Sequence, residues 1–407
     1  MRPKVNITLS NGNLGLQAPS ENGTCVVLVA SPIAPVAGYG VPFLIKNIAQ
    51  AKAAFIQAGN EAVVLVFEKA FFAEAPEGIK VYVLAMAPTV TLQTLVAAAN
   101  AEKALNMATG AARLLAAIKF PSGSYTPVIT TGFDGDVHSA VTDATTLAAA
   151  WFAKKKPFRY FIEGFGFTTA AAAKDYSTTT NRHGHIVVGN VDNGTAFATM
   201  LALGRAAKAQ PQQNIGRIKS GSLAIAETSV VKIGTVLVDQ TPDADLDLLY
   251  DKRYITFEKN AIASGYVFND DNSLTVVTDD YNNLRYGRII DNATRIAFET
   301  YYRELKEDVD VDDDGRLSAA VEKALETAVE TNIDAQMRAQ LSKKQDGTAD
   351  VECLVNPDPA AYAGLYAANN IDIPNFNALQ SGSCYLFIAL RPKACLKQLN
   401  VFLGFTA

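Results

Sequence analysis

The chain has 407 residues, 49% apolar and 19% charged, with a net charge of -5 at pH 7. That length supports a sizeable core in two or three domains, or in one domain with insertions, and the charge provides no basic footprint for nucleic acid. No run of about 18 apolar residues occurs and the start, MRPKVNITLSNGNLGLQ, lacks a continuous apolar signal stretch, so a soluble intracellular product without direct membrane insertion is expected.

Taken from the start, Val5, Ile7 and Leu9 alternate with Lys4, Asn6, Thr8 and Ser10, the period of a half-buried strand. Gly12, Gly15 and Pro19 then mark a linker, so the chain opens with a tethered strand. Residues 24–31 (TCVVLVAS) predict a buried strand. Helices are expected over 45–58, closed by Gly59, and over 61–75, stopped by Pro76 and Gly78. A strand in 79–87 and a helix over 92–99 follow. The apolar run 111–119 fits either a helix or a buried strand, because periodicity does not separate short apolar runs. Beyond it come a helix over 139–153, strands over 159–165 and 185–190, and a helix over 195–207. Strands separated by helices favour a largely parallel sheet.

The pattern changes from about residue 254. GYVFNDDNSLTVV predicts two short strands around residues 269–272 and the start of an α+β unit. Within that unit Ile289, Ile290, Ala293, Ala297, Tyr301 and Leu305, and then Leu317, Val321, Leu325, Val329 and Ile333, recur at helical spacing. Between them lies DVDVDDDGRLSAAVE, residues 308–322. Started at Asp310 it resembles a calcium loop through Asp312, Asp314, Gly315 and Ser318, but the twelfth position is Val321 and the bidentate carboxylate is missing. A helical hairpin is expected instead, with Gly315 ending one helix at positive φ and Asp314 or Ser318 capping the next. The chain closes as it opened: after Arg391, Pro392 and Lys393, residues Leu399, Val401, Leu403 and Phe405 alternate with Asn400, Phe402, Gly404 and Thr406.

Motifs for chemistry are sparse. His183 and His185 in RHGH have no evident third metal ligand, and Asp134, Asp136 and His138 in FDGDVH are expected to cap the following helix. Gly38 and Gly40 complete neither a dinucleotide fingerprint nor a P-loop. The four cysteines, Cys25, Cys353, Cys384 and Cys395, are scattered and are expected to be buried free thiols. No catalytic residue, metal or cofactor is therefore assigned. One row stands out: Glu322, Glu326, Glu330 and Asp334 repeat at i, i+4, where like charges oppose one another. Such a row is either a solvated face or a charged contact with basic residues of another subunit.

GYGVPFLIKNIAQAKAAFIQAGN, then VFEKAFFAEAPEGIKVYVLAMA with its paired Phe71 and Phe72, QPQQNIGRIKSGSL, and GYVFNDDNSLTVVTDDYNNLRYGRIIDNATRIAFETYY together resemble the contractile phage tail sheath family, shared with related contractile injection systems. The resemblance spans most of the chain and suggests a divergent branch. It implies a tail-sheath-like core of α/β and α+β character, an inserted α/β domain and extended N- and C-terminal β-arms. The corresponding division is 1–20 for the first arm and linker, 21–252 for the α/β region, 253–393 for the α+β core and 394–407 for the second arm. It further implies a helical homopolymer around a tail tube, with baseplate and tail terminator proteins as partners, located in the tail and made in the bacterial host. Asp279, Asp280, Arg285, Arg288 and Asp291 lie in the matching block as candidates for ion pairs, within the subunit or between subunits. A Rossmann-like enzyme or ligand-binding protein is the competing reading, with Asp134, Asp136, His138 and His183 as its polar site.

Overall fold

The structure, a computed structural model, describes residues 21–372, 374–395 and 397. The tethered strands expected at Val5, Ile7 and Leu9 and at Leu399, Val401, Leu403 and Phe405 lie outside the described residues. Among the described residues, no helix is long and apolar enough to cross a membrane.

One eight-stranded sheet organises most of the chain. Its strands are β1 (Cys25–Ala30), β2 (Pro42–Ile45), β3 (Val81–Met86), β4 (Leu114–Lys119), β5 (Arg159–Glu163), β6 (Gly184–Val188), β7 (Ile255–Lys259) and β8 (Tyr266–Phe268). They lie in the order β8-β7-β6-β5-β4-β1-β3-β2, parallel from β7 to β3 and antiparallel only at the two outer pairs. All six residues of β1, CVVLVA, are buried, as expected of a strand paired on both sides and covered on both faces. The ambiguous run 111–119 contains strand β4, which pairs with β1 from Cys25↔Leu114 to Ala30↔Lys119. Partner strands decide there what periodicity does not.

Two boundaries differ from expectation. The change of character near residue 254 does not end the large sheet, since Ile255 and Thr256 of β7 pair in parallel with Val187 and Val188. β8 then returns antiparallel to β7, with Phe268 stacked on Phe257. The helix expected over 61–75 runs from Glu61 to Val66, loosens into a π-helical turn at Phe67–Phe71 and finishes at Phe72–Glu74. A bulge of that kind re-aims side chains inside a helix.

Two long helices flank the sheet, α1 (Gly135–Ala153) and α2 (Phe197–Lys208). Helix α2 is buried at every residue from Phe197 to Ala207, so it is a core element and not an amphipathic surface helix. Gly204 permits this: a Cβ there would lie 2.6 Å from the Phe71 carbonyl oxygen.

A smaller second core follows, from helices α3 (Leu284–Tyr302) and α4 (Ala319–Met337) and strands β9 (Val351–Val355) and β10 (Leu386–Leu390). Ile289, Ala293 and Ile296 of α3 meet Val329, Ile333 and Met337 of α4, together with Val351 and Cys353 of β9. The helical hairpin is present, with Asn283 capping α3 through the Tyr286 N–H and Ser318 capping α4 through the Val321 N–H. Gly315 has positive φ, 73°, but does not end α3, which stops at Tyr302. It turns the tight loop between Val311 and Leu317, and a Cβ there would meet the Asn377 side chain at 2.7 Å.

Candidate functional site

Helix α3 joins the two cores. Between Leu284 and Arg295 it carries four charged residues that bury against the large sheet and its surroundings: Arg285, Arg288, Asp291 and Arg295. Asp291 forms a bidentate pair with Arg159 of β5, at 2.7 and 2.8 Å, both side chains at most 5% exposed. The same guanidinium donates to the carbonyls of Gly287 and Arg182. Gly287 leaves it room, since a Cβ there would sit 2.4 Å from the Arg159 Cζ. Arg285 pairs with Asp271 at 2.6 Å, and Arg288 donates to the carbonyls of Ala206 and Asn22. Arg295 donates to Gly110 and Ala112. Of the candidates for ion pairs, Arg285 and Asp291 are thus engaged inside the subunit. Asp279 accepts from the Tyr281 N–H in a turn, and Asp280 is exposed.

The acidic row also turns inward. Asp334 accepts from the Ala349 N–H at 2.6 Å, Glu330 from the Cys353 N–H at 2.9 Å and Glu326 from the Val355 N–H at 3.2 Å. Glu322 accepts from the Asn356 side-chain amide at 3.4 Å. Their hydrogen bonds follow the edge of β9, so the row is more than a solvated face. Four helical residues rise about 6 Å and two strand residues about 6.7 Å, so Glu326 and Glu330 keep step with the Val355 and Cys353 N–H groups, while Asp334 passes over Val351, whose N–H bonds the Ala349 carbonyl, and reaches the Ala349 N–H before the strand. These charge-assisted bonds offset the repulsion along the row.

The other side of the two-stranded sheet is different. Asn356 donates to the Tyr385 carbonyl and Arg391 to the Asp350 carbonyl, so β10 pairs with β9 through residues 385, 387, 389 and 391. By the alternation of an antiparallel ladder, Leu386, Ile388 and Leu390 aim their backbone groups away from β9. Among the described residues, no strand pairs with that edge. Residues of β10 are only partly buried, although Leu386, Ile388 and Leu390 pack against the second core.

Of the residues of the competing enzyme reading, Asp134, Asp136 and His138 are held by partners within the subunit, and His183 is buried. Lys119, at the end of β4, pairs with Asp134 at 2.8 Å and Asp136 at 2.9 Å, and donates to the Tyr125 hydroxyl. Asp136 does not cap its own helix: it accepts the Leu92 and Gln93 N–H groups of a neighbouring one. His138 bonds Tyr176 instead. Burial, with the nearby Arg159 charge, drives His183 down to about 2 and His185 to about 3, so both imidazoles are neutral. No cluster of three or more metal-binding side chains occurs among the described residues. Of the thiols, Cys25 and Cys353 are buried, Cys384 is half-buried and Cys395 is exposed, which departs from the expectation for the last two.

Glu163, which sequence patterning does not single out, lies buried beside this cluster at the end of β5. Its oxygens accept the N–H groups of Lys119 and Ala196. Burial nevertheless pushes its carboxyl up to about 7. A carboxyl held above its unfolded value near 4.5 contributes stability below that pH and loses it as pH rises through 7. We expect the unfolding free energy to fall from pH 5 to 8, by an amount on the order of 3 kcal/mol. Glu163→Gln should flatten that slope while lowering stability at every pH, because its NH2 faces a backbone N–H. An unchanged slope in guanidinium titrations would remove Glu163 as the cause.

A family model described as "DUF2586, N-terminal domain" matches residues 2–272. Among solved structures, the chain resembles a protein of the anti-feeding prophage baseplate, with a TM-score of 0.61 at 13% identity over 100% of this chain and 99% of that one. It also resembles the anti-feeding prophage helical sheath in its contracted state, with a TM-score of 0.59 at 13% identity over 99% and 98%. A third likeness is to the contracted sheath complex of PVC, an extracellular contractile injection system, with a TM-score of 0.59 at 11% identity over 100% and 97%. No curated protein matches in sequence. The structural likenesses establish a fold shared with sheath proteins along the whole chain, and by its sequence the chain belongs to the DUF2586 family.

Proposed function

We propose that this chain is the repeating subunit of a contractile sheath, polymerising helically around a tail tube and shortening to drive that tube through a target envelope. The observation that carries this reading is the whole-length likeness in fold to a sheath solved as a contracted helix. The edge of β10 that no strand pairs among the described residues supports it, because an edge that presents unpaired backbone groups is a template for another chain. The segments around Val5, Ile7 and Leu9 and around Leu399, Val401, Leu403 and Phe405 have the alternation such an edge accepts. Donor and acceptor surfaces differ, so the contact is heterologous and propagates instead of closing a dimer.

On this reading the linkers let subunits slide while their strands stay paired, and α3 carries load between the two cores through its buried ion pairs. The tube, baseplate and terminator proteins are the remaining partners, and the mature location is an assembled tail. No catalytic residue is required of the chain: Asp134 and Asp136 are paired with Lys119 inside it. Sedimentation of the full chain beside a variant lacking residues 396–407 tests the reading. Polymer from the full chain and monomer from the truncated one is expected; identical behaviour of the two, with tube protein present, would oppose it.

A further inference from the structure

We propose that the acidic row of α4 is an edge guard. It closes β9 to strand addition, so that the two-stranded sheet accepts a neighbour's strand only along β10. The proposal rests on the reading of β10 as a strand-accepting edge and adds the reason that growth has one direction.

The guard is built from charges of matching sign. Glu330 and Glu326 take the N–H groups of Cys353 and Val355, and Asp334 takes that of Ala349 just before the strand. The Lys344 ammonium takes the Val351 carbonyl at 2.7 Å. Outward-facing donors thus meet carboxylates, and an acceptor meets a cation. A strand arriving at β9 would have to displace charge-assisted bonds to gain neutral ones, and each displaced carboxylate would remain beside its like-charged neighbours on α4. Two features hold the row in register without a partner subunit. Val329, Ile333 and Met337, each three residues on from an acid, are buried in the second core. Arg338 pairs with Asp334, and this contact together with the Ala349 N–H holds that carboxyl below its usual range, so it stays ionised. Among the described residues, no such row meets the outward backbone groups of Leu386, Ile388 and Leu390 on β10. Inward-pointing charge is a recognised way to blunt a sheet edge, and here it blunts one edge of two.

The chemistry that would dock on β10 is an extended segment with apolar residues at alternate positions, from a second copy of this chain. The probe is a synthetic peptide of residues 396–407, added to the chain lacking residues 398–407. Binding is expected to the otherwise unaltered chain and to be lost in Ile388→Pro, which removes an outward donor of β10. Adding Glu326→Ala and Glu330→Ala to Ile388→Pro is expected to restore binding, with the peptide now protecting the Cys353 and Val355 amides from hydrogen exchange. Glu326→Gln with Glu330→Gln, which keep an acceptor oxygen at each position, should not restore it. Absence of restored binding by the alanine pair overturns the guard while leaving β10 as the acceptor. A peptide that binds none of the chains overturns the arm reading and the guard with it. Should the combined variant not fold, Glu330→Ala alone decides: at least ten-fold faster exchange of the Cys353 amide supports the guard, and an unchanged rate overturns it.

Discussion

Replacing Asp291 with Ala is expected to cost about 3–5 kcal/mol of stability, among the largest effects of any single substitution in this chain. The reason is the partner left behind. Arg159 is 1% exposed on its side chain and holds three of its donors on Asp291 and the Gly287 carbonyl. Without Asp291 its charge stays buried with carbonyl partners alone, and the strand and helix it joins lose the contact that fixes their spacing. The charge itself is not what the fold needs: Arg159→Met combined with Asp291→Leu, which removes both ions, is expected to recover much of the loss, since replacing a whole buried pair by apolar groups is often close to neutral. Guanidinium titrations of the three variants measure this. A loss below about 1 kcal/mol for Asp291→Ala would mean that Arg159 escapes to water, and that α3 is held by its other arginines.

Proline substitutions at adjacent positions of β10 should separate folding from assembly. Ile388 aims its N–H away from β9, so Ile388→Pro removes a donor that has no strand partner among the described residues. Edge positions of that kind tolerate proline. The variant should fold with a small loss, about 1–2 kcal/mol, and fail to polymerise. At Phe387 the N–H faces Leu354 of β9. Phe387→Pro should therefore break the ladder itself, costing about 3 kcal/mol or more and loosening Tyr366, whose ring packs edge-on to Phe387. Circular dichroism reports the first effect and sedimentation the second. If Ile388→Pro polymerised like the unaltered chain, β10 would not be the accepting edge.

The large sheet was legible because most of its strands have apolar centres and are separated by glycine, proline and polar turns. The β1, β3, β5 and β6 segments and helices α1 and α2 fall where those signals place them. Residues 111–119 were not decidable, since the apolar stretch 114–118 carries no period and pairing with β1 and β5 makes it a strand. The boundary near 253 failed for a related reason: β7 looks like the start of a new unit because of the polar turn that follows it, yet its pairing with β6 is nonlocal. The acidic row was visible as an oddity, but its role was not, because Glu326 and Glu330 meet a strand more than twenty residues away. Lys119 and Glu163 had no signal at all; each is a lone charge at the end of an apolar run. The whole-chain architecture came from the resemblance of motifs, not from periodicity.

Self-assembly is the claim on which the functional account stands, and negative-stain electron microscopy of the concentrated full-length chain tests it most directly. Hollow helical tubes are expected, with a bore wide enough to admit a tail tube. Particles that remain globular at high concentration, and still do so after tube protein is added, would contradict it.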